Sequence, residues 1–281
     1  MSHSAPVLAK HTLLGKRIWV TGAGSGIGRA IALRLAQLGA SVGGCGRRAE
    51  PLAGTQALAS AAGTDFSWTA CDVRDHAAAA RALDEFAGQG GLHALVNNAG
   101  GQFHARAEDI SSNGFAAVVD LNLNALFALT TAAHRWFVRG DRAGASVVNI
   151  SISPVERGGM GLAHSVAARS GVAGLTRALA LEWGADGVRV NCVAPGAVET
   201  DALLGKSSPQ QLEAMGAATP LGRNAGPAEV AELVAYLVSP AGALITGQVL
   251  RIDGGLFLGS PLDLRPHPST ARAPADAGAQ A

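Results

Sequence analysis

The sequence predicts one α/β domain, a doubly wound parallel sheet with helices on both faces. Three observations predict it. Short, continuously apolar runs of β type recur along the chain; amphipathic or alanine-rich helical patterns separate them; and no repeat or linker divides residues 14–259. Strands that are apolar throughout, rather than alternating with polar residues, are buried on both faces, as in a parallel sheet whose crossovers are helices. At 281 residues, 48% of them hydrophobic, the chain is long enough for one large core.

The elements follow in order. Residues 1–13 form a polar, flexible lead. KRIWVTG (16–22) is the first strand, and an amphipathic stretch to Gly39 the first helix. ASVGGC (40–45) and FSWTAC (66–71) are strands separated by an alanine-rich helix, and another helix leads to the strand HALVNNAG (93–100). A long helix runs through Asn122 to Val138. ASVVNIS (145–151), the helix 164–184 and the strand VRVNCVAPG (188–196) come next. The segment at about 199–218 mixes polar and apolar residues and reads as a lid. PAEVAELVAYLVS (227–239) is the last helix and GQVLRI (247–252) the last strand. Residues 260–281, rich in Pro, Ala and Asp without periodicity, read as a disordered tail.

Composition removes several classes. With 15% charged residues and a formal net charge of +1, nothing suggests a nucleic-acid surface. No apolar run reads as long enough to cross a bilayer, and the first residues lack a signal-peptide pattern, so a cytoplasmic location is expected. Cys45, Cys71 and Cys192 show no ligand or CxxC spacing. They read as buried, inert thiols, and no metal site is expected.

TGAGSGIG, residues 21–28, follows the first strand and opens the first helix. Glycines there admit a pyrophosphate to the backbone, and a helix N-terminus offers free N–H groups and a positive dipole end. That context makes the fold Rossmann-like. The spacing is TGxxxGxG, not GxGxxG. Together with NNAG (97–100), Asp72-Val73, Asn122, Pro195-Gly196 with Thr200 beyond, and ITGQVLRIDGG (245–255), it resembles the short-chain dehydrogenase/reductase family over residues 14–257.

The resemblance implies a nicotinamide cofactor. Thr21, Gly22, Gly24, Ser25, Gly26, Ile27 and Gly28 would form the pyrophosphate loop. Asp72 and Val73 would hold the adenine, and Asn98, Ala99 and Gly100 the adenosine ribose. Pro195, Gly196, Val198 and Thr200 would hold the nicotinamide. The second strand ends CGRR with no carboxylate for a ribose 2′-OH; Glu50 lies beyond. Arg47 and Arg48 instead offer guanidinium forks suited to a 2′-phosphate, which favours NADPH.

Members of the family usually carry a Ser, a Tyr-x-x-x-Lys and a neighbouring Asn. In the register set by NIS (149–151) and ARSGVAGLTRALALEW, those positions hold Ile152, Ser165 and Arg169; only Asn122 remains. The single tyrosine, Tyr236, lies in the last helix among apolar neighbours, a core or interface position. Arginine cannot exchange a proton near neutral pH, and a serine hydroxyl is a poor acid. Reducing a ketone makes a basic alkoxide that needs a donor at once. Hydride addition to an α,β-unsaturated thioester makes a less basic enolate that fixed donors can hold.

The segments 96–115, 163–196 and 239–255 resemble the peroxisomal trans-2-enoyl-CoA reductases, which also carry His-Ser and Arg at these positions. The 2,4-dienoyl-CoA reductases keep a lysine and use an upstream tyrosine, whose equivalent here is Pro154. Bacterial relatives are also proposed to act on terpenoid alcohols and aldehydes.

On this reading, Asn122 and Ser165 hold the thioester oxygen, directly or through water. Arg169 positions the nicotinamide ribose, and His164 is a candidate proton relay that can equally face a neighbouring chain. His104 reads as a loop histidine that could reach the substrate mouth; Glu156 and Arg157 read as a solvated pair. The expected substrate is an acyl-CoA ester. The alternatives are a carbonyl or alcohol oxidoreductase with another proton donor, and a catalytically silent NADP(H)-binding protein. Family resemblance pairs helices 122–138 and 164–184 across two-folds into a homotetramer.

Overall fold

The structure is a computed structural model and describes residues 8–139 and 144–259. Seven strands form one parallel sheet: β1 (Arg17–Thr21), β2 (Ser41–Gly46), β3 (Phe66–Ala70), β4 (Ala94–Asn97), β5 (Ala145–Ile150), β6 (Val188–Pro195) and β7 (Val249–Ile252). Their order is β3-β2-β1-β4-β5-β6-β7. The direction of winding reverses at β1, which pairs with both β2 and β4: Ile18 lies opposite Val42 on one side and Ala94 on the other. The crevice beyond the carboxyl ends of β1 and β4 is therefore the switch point where such sheets bind ligands.

The period of two along each strand divides the core. Ile18 and Val20 face α1 (Gly26–Gln37), α2 (Ala49–Ala61) and α9 (Pro227–Val238), packing with Ile31, Leu35, Leu52, Val230 and Val234. Trp19, Leu95 and Val147 face the other way, toward α3 (His76–Gly88), α5 (Ala125–Phe137) and α6 (Ala163–Glu182), where they meet Leu83, Phe86, Leu129 and Leu179. Glycines in β2 make room: a Cβ at Gly43 would stand 2.5 Å from the Phe86 ring and 2.8 Å from that of Trp19.

Three expectations need correction. Leu13, read as part of the flexible lead, is fully buried, and its N–H donates to Leu38 O at 2.9 Å. The expected long helix begins earlier and is not regular: α4 (Ser112–Val119) runs through a π turn at Asp120–Asn124 into α5. That continuous run, Ser112–Phe137, is also long and apolar enough to cross a bilayer, contrary to the reading of the sequence. Leu126, Leu129, Ala133 and Phe137 nevertheless pack into the protein's own interior. The proposed tail, 260–281, lies outside the described residues.

Candidate active site

The first two βα turns build one wall of a cleft of about 660 Å³. Gly22 has φ +68°, a left-handed value suited to glycine. A Cβ at Gly28 would stand 2.2 Å from Gly22 O and 2.4 Å from Asn98 Nδ2, so the loop closes tightly on its neighbour. At the start of α1, Ser25 makes no side-chain cap and the first turn has no acidic residue. The free N–H groups and dipole end thus face the cleft without a competing anion.

The residues assigned to the cofactor line this cleft: the loop from Gly22 to Gly28, Arg47 and Arg48, Asp72 and Val73, Asn98 to Gly100, Arg169, and Pro195, Gly196, Val198 and Thr200. Thr21 is the exception. It is buried, and its Oγ1 accepts from Asn98 N at 3.0 Å and Ala99 N at 2.9 Å. Asn98 Nδ2 donates back to Thr21 O at 3.0 Å. Thr21 therefore ties two binding loops together instead of meeting a ligand.

The ion pairs among the described residues involve neither Arg47 nor Arg48, both exposed at the end of β2. Asp72 is engaged: hydrogen bonds from Arg74 hold its carboxyl below the usual carboxylate range. These features fit a dinucleotide, with anion donors at the pyrophosphate end and exposed cations, outside the ion pairs of the described residues, where a 2′-phosphate would sit.

Behind the cleft, a buried amide chain links the elements. Asn97 Nδ2 donates to Asn149 Oδ1 at 2.9 Å and Thr130 Oγ1 at 2.8 Å, and Asn149 Nδ2 donates to Thr176 Oγ1 at 3.0 Å. Polar groups buried this deeply require such partners, and the chain fixes β4, β5, α5 and α6 relative to one another.

Asn122 sits in the π turn, a helical irregularity common at functional sites. Its Oδ1 accepts from Gly101 N at 3.1 Å, while its Nδ2 donates to Gly101 O at 2.9 Å and Val118 O at 2.7 Å. Both ends of the amide are used in clamping the glycine loop. The expectation that it holds substrate oxygen is corrected: Asn122 positions the loop.

At the catalytic register, α6 presents Ser165 and Arg169 one turn apart. Ser165 is fully buried and off the cleft surface. Its Oγ accepts from Arg169 Nη1 at 2.5 Å and donates to Gln102 Oε1 at 2.7 Å. Arg169 Nη1 also donates to Gln102 Oε1 at 3.0 Å. Burial pushes the Arg169 guanidinium down to about 10, so it remains a cation at neutral pH. Direct contact between Ser165 and a substrate oxygen is thus corrected as well, because Gln102 stands between them. The sequence reading missed Gln102; its signal was its place two residues beyond Gly100 in the cofactor loop.

His164 is fully buried against Phe103, edge to face at 4.2 Å between centroids, and neither ring nitrogen has a hydrogen-bond partner among the described residues. It is absent from the cleft lining, which sets it apart from the expected proton relay. His104, exposed, lines the cleft instead. Glu156 pairs with Arg177 and Arg251, and Arg157 donates to the carbonyls of Leu256 and Phe257. Glu156 thus ties α6 to β7, Arg157 fastens the segment after β7, and neither is merely solvated. Among the cysteines, burial pushes Cys192 up to about 12. Cys71 departs from the expectation of an inert buried thiol: it is half-buried, lines the cleft, and is lowered by its hydrogen bond with Cys45.

The far side of the cleft is apolar, with Ile152, Pro154, Leu162, Leu203, Met215 and Leu256. Leu203 and Met215 come from the segment expected as a lid, which forms α7 (Asp201–Leu204) and α8 (Pro209–Ala217). Thr200 Oγ1 caps α7 through Leu203 N, and Ser208 and Gln211 form a capping box on α8.

A parallel sheet of this order, with a glycine-rich loop at the switch point and a conjoined polar cluster on α6, defines a dinucleotide-dependent oxidoreductase. The chain belongs to the short-chain dehydrogenase/reductase family. Residues 22–257 match the family described as enoyl-(acyl carrier protein) reductase. The chain is 36% identical over 247 residues to a probable 2,4-dienoyl-CoA reductase of Bacillus subtilis (strain 168), covering 86% of this chain and 97% of that one. It is similar to the structure of a citronellol catabolism dehydrogenase of Pseudomonas aeruginosa PAO1 (36% identity, TM-score 0.79, 89% and 98% of the two chains). It is similar also to an actinorhodin polyketide ketoreductase variant crystallised with NADPH (32% identity, TM-score 0.83, 89% and 99%).

Proposed function

We propose that the protein is an NADPH-dependent reductase of the C=C bond of a trans-2-enoyl thioester, an acyl-CoA ester. The observation that carries the reading is the composition of the reacting end of the cleft. Ile152 and Pro154 have no hydroxyl, Ser165 lies beneath the surface, and Arg169 is a fixed cation. Of these groups Arg169 can stabilise negative charge on oxygen, but none of the four can release a proton near pH 7.

The bound cofactor would supply a hydride, two electrons without a proton. The glycine loop and the start of α1 would hold its pyrophosphate, and Arg47 and Arg48 its 2′-phosphate. Gly100, next to the Gly101 that Asn122 clamps, and Arg169 would fix the nicotinamide ribose. Ile152, Leu162, Leu203 and Met215 would exclude water along the acyl chain. The substrate's α-carbon would take its proton from solvent at the cleft mouth, beside His104. A dienoyl reductase of the related kind relies on a tyrosine where this chain has Pro154, which favours the enoyl substrate. A cytoplasmic homotetramer is part of the same proposal.

The test is NADPH consumption with trans-2-enoyl-CoAs of several chain lengths beside ketones, aldehydes and 3-ketoacyl-CoAs. Turnover confined to enoyl esters is the expected result. Turnover confined to carbonyls overturns the proposal, and NADPH binding without turnover on either panel makes the protein a silent dinucleotide binder.

A further inference from the structure

We infer that Gln102 is the residue that reads the substrate's carbonyl oxygen, through its side-chain amide N–H₂. The inference rests on the reading above and names a catalytic group for it. Gln102 is exposed and lines the cleft, next to Gly101 of the clamped loop. Its Oε1 takes two hydrogen bonds, from Arg169 Nη1 at 3.0 Å and Ser165 Oγ at 2.7 Å.

A guanidinium donates only, so the atom facing it must be the amide oxygen. Ser165, whose oxygen already accepts from Arg169, is left with its proton to donate, and that proton also goes to Gln102 Oε1. The orientation of the amide is therefore dictated by a buried cation. The two N–H groups of Nε2 have no partner among the described residues and belong to the side chain that faces the cleft.

The three residues act in series. Arg169 polarises Ser165 and the Gln102 carbonyl, which makes the amide N–H₂ a better donor. The positive charge is delivered to the cleft as a neutral donor without a dissociable proton. When the β-carbon takes a hydride, the Cα=Cβ pair moves to the Cα–C bond and the carbonyl π pair to oxygen. Gln102 holds that oxygen as it becomes an enolate. A proton from solvent then reaches the α-carbon, so that enoyl thioester, NADPH and H⁺ give saturated thioester and NADP⁺. A ketone reduced at the same place would need its proton on the oxygen, which an amide cannot give.

The experiment uses the full-length protein and two variants. Gln102→Ala removes donor and acceptor. Gln102→Glu keeps an acceptor for Arg169 and Ser165 but puts a carboxylate oxygen where the donor was. Hydride transfer is followed in single turnovers with trans-2-decenoyl-CoA. In parallel, the NADP⁺-loaded protein is titrated with decanoyl-CoA and with the S-decyl-CoA thioether, which lacks the carbonyl oxygen.

The wild type should bind the thioester more tightly, and both variants should lose that preference while keeping their NADPH affinity. Hydride transfer should fall about 10²–10³-fold in Gln102→Ala, the usual effect of losing one oxyanion donor, and further in Gln102→Glu. A wild type without preference between thioester and thioether overturns the assignment, as does a Gln102→Ala protein that keeps both the preference and the rate. A wild type that prefers the thioester but turns over no enoyl-CoA refutes the proposed reaction and leaves Gln102 as the oxygen-reading group.

Discussion

Position 165 shows how side-chain length changes a site's chemistry. The serine hydroxyl stops beneath the cleft surface, where it is useful only as a link between Arg169 and Gln102. The working charge is then that of Arg169, pushed down to about 10 by burial. The cation is disfavoured in the folded protein, so the cost to stability is present below pH 10 and is relieved as pH rises through that value. For catalysis the sign is opposite: the charge is needed, so turnover should hold level from about pH 7 to 9 and fall above about 10, while a loss centred near pH 7 would require a histidine-like acid. His164 offers a second test. A buried imidazole whose two nitrogens have no partner among the described residues is costly, so His164→Leu should leave turnover unchanged and keep or raise the melting temperature, a gain of up to about 1–3 kcal/mol. A fall in turnover with NADPH affinity retained would restore His164 to the mechanism.

At the scale of elements, the clamp between the β4 loop and the π turn is the most demanding piece of geometry. A Cβ at Gly100 would stand 2.7 Å from Asn122 Oδ1 and 3.1 Å from Arg169 Nη2. Gly100→Ala must therefore displace either the loop or both partners; NADPH affinity should weaken by about tenfold or more, a cost of at least about 1.4 kcal/mol, seen as a reduced thermal shift on adding NADPH. An unchanged shift would mean that the loop yields freely. Strand and helix alternation, the glycine loop and the empty Tyr-x-x-x-Lys register were legible because each is a local pattern. The π turn was not: LNLN carries no break in apolar periodicity, and its extra residue shows only when Asn122 is seen to reach Gly101. Thr21, Gln102 and Cys71 were misread or missed for a related reason. Which side of a loop a residue faces depends on what packs behind it, and nothing local in the sequence encodes that.

For the whole molecule, the outer faces of α4 to α6 decide what the long apolar helix means. Its inward residues serve the core, but Phe115 and Phe127 are exposed on the same run, and Leu181 on α6 is 85% exposed. Asn124, Thr131 and His134 interrupt that outer surface, and His134 Nε2 is within 2.9 Å of Asp186 Oδ2. A bilayer would leave such groups poorly satisfied, whereas a second copy of the chain can cover the phenylalanines and leave the polar groups wet. The proposed homotetramer follows from that contrast together with family resemblance. Leu181→Glu would bury a carboxylate in a self-complementary contact, where each two-fold sets the charge beside its own copy. The variant should remain folded, since Leu181 contributes little to its own core, yet run as a dimer or monomer by light scattering. A wild type that is itself monomeric, or a variant that stays tetrameric, would remove α6 from the interface.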